Sequence, residues 1–413
     1  TIIDAGTGVT GAFSSVAGDN GLLITNTVDI DEINFDVTVT TTLLPASSVG
    51  DLNENQTNVG DALIDILSEA DIDPGLTDYI ASIGAISDAG ELGFVLSELS
   101  PEGFDAGLRF LAQSQGRFMS AVALRSPQPS QDGPYVWGAI DLSHLSKNED
   151  AQNQGFKGDI REFSAGVSGL GRGPVRFGVA GGYATFNGET DAGLSDEADA
   201  KLYRLAASAQ VLIDGAGANG RIDNVFGFAA GESELSMRVA DPASSAPILQ
   251  SGEADIRSFG FASRFTVTGV NGRDWAIHPH AEVGLDSVKQ DAALVGSDQP
   301  TALSVEEVGS TRAHIGLGAS FARRLMDRLT LRASATGLRY FGDTQNVFHA
   351  RLAGAPTEAS AFDILGISVE WQARMRAGAM YEHKSGFTLS ADVFGEAGDV
   401  NAYGARFELS KGF

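Results

Sequence analysis

From about residue 134 onward the chain alternates apolar and polar side chains with a period of two. That period belongs to strands whose two faces meet different surroundings. In the final eleven residues Tyr403, Ala405, Phe407, Leu409 and Phe413 share one face, and Gly404, Arg406, Glu408, Ser410 and Gly412 the other. Between Trp275 and Asp286, Trp275, Ile277, Pro279, Ala281, Val283 and Leu285 oppose His278, His280, Glu282 and Asp286. Over 365–382 a row running from Leu365, Ile367 and Val369 to Tyr381 opposes Ser368, Glu370, Gln372, Arg374, Arg376 and Glu382. That run far exceeds the ~5–6 residues of a soluble strand. It fits a tilted membrane strand of ~9–11 residues with extensions beyond the bilayer.

Twelve such segments are predicted, near 134–143, 157–170, 174–187, 199–213, 220–233, 254–268, 274–288, 305–321, 328–341, 361–382, 386–396 and 402–413. The faces of 134–143 and 220–233 are not assignable from the pattern. Short connections alternate with long ones (144–156, 188–198, 234–253, 289–304 and 342–360) until a short final hairpin at 397–401. Outer-membrane barrels sort their connections this way, with short turns in the periplasm and long loops outside. A soluble sandwich has no reason to. Aromatic residues near strand ends, such as Tyr135, Trp137, Trp275, Tyr340 and Trp371, suit interfacial girdles.

The first 130 residues follow other periods. Residues 1–50 hold short β-branched runs broken by Gly, Asn and Asp, read as short strands in the manner of a small solenoid-like remnant. Residues 51–99 hold three short helical patterns, near 55–68, 76–85 and 88–99. Ser100, Pro101 and Glu102 supply a helix start, and the helix is expected to run to Arg125 through Leu108, Leu111, Met119, Val122 and Leu124. Ser126 to Pro134 then form a linker rich in proline and glycine.

Composition narrows the function. Residues 1–108 contain no Lys, Arg or His, so Arg109, Arg117 and Arg125 are the first basic residues, and the whole chain carries a net charge of −26. With 54 acidic against 28 basic residues there is no basic surplus to hold a phosphate backbone, which argues against nucleic acid. The absence of cysteine suits a chain that crosses an oxidising periplasm unfolded. Thr1 is not a start methionine and no signal peptide is visible, so the sequence reads as mature, trimmed or a fragment. No run of 18 apolar residues exists, which excludes a membrane-spanning helix but not a barrel.

Catalytic signatures are missing. The Gly215-Ala-Gly-Ala-Asn-Gly220 stretch matches a dinucleotide fingerprint only in spelling, because it joins two strands. There is no G-x-S-x-G, no H-E-x-x-H and no phosphate-loop lysine motif. His278 and His280 share a face without a third ligand and read as polar lumen residues. No enzyme, cofactor or metal site is expected.

A helix-bearing stretch, a linker, a twelve-strand pattern and a terminal Phe together resemble the translocator of a monomeric (type Va) autotransporter. The resemblance covers about 90–413. It is carried by the segment from Leu99 to Phe118 and by the 386–413 hairpin. Asp51-Leu-Asn-Glu-Asn-Gln-Thr-Asn-Val-Gly-Asp-Ala-Leu63 is similar to the helix start found between passenger and translocator in that family. The resemblance implies an all-β, 12-stranded antiparallel outer-membrane β-barrel with an α-helix threading its lumen. It divides the chain into a passenger remnant (1–50), a short helical linker region (51–99), a lumen helix with linker (100–130) and the barrel (131–413). It implies a protein that anchors and exports its own N-terminal passenger to the cell surface. Outer-membrane lipid, lipopolysaccharide and the barrel-assembly machinery would be its partners, the last through the C-terminal strand. Some members cut themselves with an asparagine in the pore helix. Residues 101–125 contain none, so the passenger is expected to stay attached.

In that setting Arg109, Gln113, Arg117 and Arg125 belong to the lumen helix. Glu370, Arg374, Asp392, Arg406 and Glu408 would face it from the wall, with Arg109 or Arg117 paired to Glu370, Asp392 or Glu408. Tyr403, Phe407, Leu409 and Phe413 would form the assembly signal. Two other readings remain open at this point: a porin-like channel plugged by the N-terminal region, and a surface adhesin for which the barrel is only the anchor.

Overall fold

The computed structural model describes residues 21–31, 36–123, 133–150, 152–171, 173–190, 196–213, 219–240, 246–267, 271–296, 299–356 and 361–413. It opens with β1 (Ile24–Asp31) and β2 (Asp36–Leu43), which pair antiparallel. Among the described residues of 1–50 they are the only strands. Four helices follow: α1 (Glu54–Leu67), α2 (Pro74–Gly84), α3 (Ala89–Ser97) and α4 (Gly103–Ala123). Next come β3 (Tyr135–Lys147), β4 (Phe156–Leu170), β5 (Val175–Thr190), β6 (Glu197–Ile213), β7 (Gly220–Val239), β8 (Ile248–Val267) and β9 (Trp275–Gln290). Then follow β10 (Ala293–Val295), β11 (Leu303–Val305), β12 (Val308–Met326), β13 (Leu329–Gly342), β14 (Val347–Leu352) and β15 (Phe362–Leu365). The last three are β16 (Trp371–Glu382), β17 (Phe387–Gly398) and β18 (Asn401–Gly412).

Twelve strands close into one antiparallel barrel, β18 pairing with β3 from Asn401↔Ser146 to Gly412↔Tyr135. The alternation read from the sequence is its cause. Phe163, Leu205, Phe228, Leu317, Val393 and Phe407 point outward and are exposed, whereas Asp141, Glu162, Arg204, Glu282 and Arg406 point inward and are buried. An apolar belt of this extent around a polar interior needs hydrocarbon as its outer solvent.

Of four further strands, β10, β11 and β14 fall almost wholly in stretches expected to be loop, and β15 falls at the start of the expected strand 361–382. β10, β11, β14 and β15 form a separate four-stranded sheet at the long-loop end, built from the 289–304 and 342–360 connections and the start of 361–382. The expected strand 361–382 is therefore two strands separated by residues 366–370. Ile367 and Val369 continue the apolar parity but turn inward and are buried. The sheet packs its inner face, including Phe348, Leu352 and Ile364, against α1 to α3, in one apolar core with Leu63, Ile66, Leu92 and Leu96. That core continues through Leu99 into Phe104 of α4, so it runs across the expected boundary between 51–99 and 100–130. The result is a cap on the long-loop end of the barrel.

Candidate functional site

The capped, helix-filled lumen is the candidate site. α4 carries a mixed sequence, yet apolar and polar residues alike are buried along it: Leu108, Phe110, Phe118 and Met119, but also Asp105, Arg109, Gln113 and Gln115. Such a helix must be surrounded by protein that answers both chemistries. Small residues let it approach the wall. A Cβ on Gly107 would lie 2.4 Å from the Ser233 hydroxyl, and one on Gly103 2.3 Å from a Leu235 methyl. Both glycines cost helix propensity, and close packing is what they return.

The apolar contacts include Phe110 stacked on Phe186 of β5, with ring centroids 5.4 Å apart. The polar ones centre on Ser114, whose hydroxyl donates to Glu162 Oε1 at 2.5 Å. Arg204 Nη1 donates to the Ser114 carbonyl at 3.0 Å, to its hydroxyl at 2.7 Å and to Glu162 at 3.1 Å. The Arg204 guanidinium also lies 4.7 Å from the Phe118 ring centroid. A buried ion pair of this kind is held only because a third group and a ring share its charge.

The helix arginines do not pair as expected. Arg109 bonds Asp105, one turn back on its own helix, at 3.3 Å, and donates to the Ile367 carbonyl. Arg117 Nη1 donates to the Ser143 hydroxyl at 2.8 Å. Gln113 is buried in the same helix, and Arg125 lies outside the described residues. The helix begins at Gly103, not at Pro101, and its described part ends at Ala123.

The wall residues divide. Arg406 points inward, 2.6 Å from Asp141 and 3.5 Å from Glu408. Asp392 is buried against Arg332, with Nε to Oδ1 at 2.8 Å. Arg374 bonds Gln372 at 3.0 Å and the Tyr340 hydroxyl at 3.3 Å. Glu370 is a correction: it precedes β16, lies exposed and pairs with exposed Arg339 at 2.9 Å, outside the lumen. Its backbone N–H and that of Trp371 are held by Asp399, at 2.8 and 3.2 Å, which turns the chain out of strand parity there. Tyr403, Phe407, Leu409 and Phe413 are exposed on the outside of the barrel or at its end.

Where α4 meets the cap, the asparagine-rich start of α1 does three jobs. Asn53 caps the helix in a capping box with Gln56. Asn58 donates to the Asp363 carbonyl at 2.8 Å. Asn55 accepts from Leu365 N–H at 2.8 Å and donates to Glu102 Oε1 at 2.7 Å. Glu102 also accepts from the Gln154 N–H at 2.8 Å. It therefore ties the α4 start to α1 and to the β3–β4 loop. Burial pushes its carboxyl up to about 7, against the opposing pull of the Asn55, Gln154 and Ser100 hydrogen bonds. Asp105 completes the junction by accepting from Ile367 N–H at 2.8 Å and Asn346 Nδ2 at 2.6 Å. Sequence reasoning missed Asn55, Glu102, Asp105, Ser114, Glu162 and Arg204. For Glu162 and Arg204 the inward parity of their strands was a usable signal.

The autotransporter β-domain family matches residues 136–393. The translocator domain of the autotransporter NalP from Neisseria meningitidis shares the fold at 14% identity and a TM-score of 0.58, covering 75% of this chain and 98% of that one. The transport unit of the autotransporter AIDA-I from Escherichia coli aligns at 13% identity, TM-score 0.49, over 76% and 99% of the two chains. The β-domain of the Bordetella autotransporter BrkA aligns at 14%, TM-score 0.46, over 68% and 100%. No curated protein matches in sequence.

Proposed function

Since this chain belongs to the autotransporter β-domain family, we propose that it keeps its passenger attached and that α4 and the cap seal its pore once export is complete. The barrel is an outer-membrane translocator that anchors and exports its own N-terminal passenger to the cell surface. The observation that carries the sealing role is α4 itself, buried along its length, with Gly103 at the cap and Val122 and Ala123 at the short-turn end. Retention rests on the lack of asparagine over 101–125. The barrel acts as a monomer and performs no catalysis. Its exposed belt meets lipid and lipopolysaccharide, and Tyr403, Phe407, Leu409 and Phe413 present the closing strand to the assembly machinery.

Conductance in planar bilayers tests the seal. The intact protein should conduct weakly, and a variant lacking residues 1–126 should conduct strongly. A large conductance in the intact protein would instead favour a porin-like channel.

A further inference from the structure

Beyond the seal, we propose that the lumen holds a binding site for one small inorganic oxyanion, of phosphate or sulfate size, between α4 and the wall. A cavity of about 60 Å³ lies there, lined by Arg117, Arg264, Arg374 and Arg376 and by one carboxylate, Glu396. Four guanidinium groups facing one carboxylate in a buried space are out of balance unless further anions answer them.

Other lumen acids feel these charges, Glu162 that of Arg117, and Asp392 and Asp141 that of Arg376, but none forms a direct ion pair with either arginine among the described residues. Arg264 is engaged by Glu282, with Nε to Oε2 at 2.9 Å. Arg374 shares that same Glu282 at 3.9 Å and reaches Glu396 at 3.8 Å. Glu282 thus serves two arginines. Arg376 makes no direct ion pair among the described residues, because Asp392 is held by Arg332. Arg117 gives only Nη1 to Ser143, and its Nε and Nη2 are buried without a hydrogen-bond partner. Two arginines therefore retain unused donors, in a cavity also lined by Ser120 and Ser334.

The chemistry of these donors selects the ligand. Guanidinium forks match the spacing of oxyanion oxygens and bind them in bidentate fashion. A water needs roughly 10–15 Å³ of such space, so the cavity has room for several water-sized groups, as a tetrahedral oxyanion requires. Arg117 and Ser120 come from α4 and the rest from the wall. A bound oxyanion would therefore bridge the helix to the barrel. The site depends on the filled lumen alone and stands whether or not the passenger is retained.

Thermal melting of the folded, full-length barrel in detergent, followed by its heat-sensitive gel mobility, tests the site. Inorganic phosphate titrated at constant ionic strength should raise the melting temperature progressively toward saturation. The double variant Arg117→Gln, Arg376→Gln should lose at least about tenfold in apparent phosphate affinity, since several charge-assisted bonds are removed. Arg376→Lys, which keeps the charge but not the fork, should fall between. Exposed Arg257→Gln should retain the full rise. Should the double variant fail to fold, crystals of the native protein grown with selenate must show anomalous density in this cavity. No phosphate-dependent rise in the native protein, an equal rise in the folded double variant, or selenate density only elsewhere would overturn the proposal.

Discussion

Replacing Glu102 by glutamine should change the sign of its effect on the cap with pH. The Glu102 carboxyl is held near 7 in the folded protein against an ordinary value of 4.5, chiefly by burial. The folded state therefore binds more protons than the opened state between these values, and stability falls as pH rises through that window. At ~1.4 kcal/mol per pH unit the gap amounts to ~3 kcal/mol, fully present below about pH 4.5 and lost above about pH 7. Glutamine cannot titrate, but its amide offers one acceptor where the carboxyl serves both Asn55 and Gln154. That loss costs about 1–2 kcal/mol at every pH. Glu102→Gln should thus weaken the cap by about 1 kcal/mol at pH 5 and strengthen it by about 1–2 kcal/mol at pH 8. Hydrogen exchange of peptides from α1 and from the Leu365 segment, corrected for the intrinsic pH dependence of exchange, reads this directly. Equal differences between variant and native protein at the two pH values would refute the assignment of the titration to Glu102.

Two further outcomes follow from the helix and the cap. Gly107→Leu places a side chain where a Cβ already meets Ser233 at 2.4 Å. Overpacking of this kind costs about 1–3 kcal/mol, so α4 should shift and bilayer conductance should rise, with Gly107→Ala intermediate. Asn55→Ala strips a partner from Leu365 N–H and from Glu102. At about 1–3 kcal/mol for a buried group left unsatisfied, it should speed proteolysis of residues 54–99 roughly tenfold or more while the barrel stays resistant.

The barrel was legible because parity along a strand is a local property. Each inward or outward position is fixed by its neighbours two residues away, and the segments near 199–213 and 274–288 lie within a few residues of β6 and β9. The error over 361–382 has the same origin. Leu365, Ile367 and Val369 keep the apolar parity of β16, but Asp105 and Arg109 on α4 and Asp399 in the last long-end turn draw that backbone aside. Parity cannot register these contacts, two of them made by residues more than 200 positions away and the third by a residue in the next turn. The ion pairs failed for a related reason. Sequence marks Asp392 and Glu408 as inward, but Arg332 reaches Asp392 by register across Gly378 of the intervening strand, and Arg406 meets Glu408 two residues along its own strand. The cap was not legible because three of its strands are runs of only 3 to 6 residues in or beside connections, and the fourth, β15, reads as one strand with β16.

The makeup of the cap core sets a direction of travel. Leu63, Ile66, Leu92 and Leu96 belong to the exported side of the chain, whereas Phe348, Leu352 and Ile364 belong to loops of the barrel. The two sets can meet only after the helical segment has emerged beyond the outer face of the membrane. Burial of apolar surface there then opposes backward sliding, since retreat would return those side chains to water. The same packing that caps the barrel thus acts as a latch, holding the helical segment on the far side of the pore.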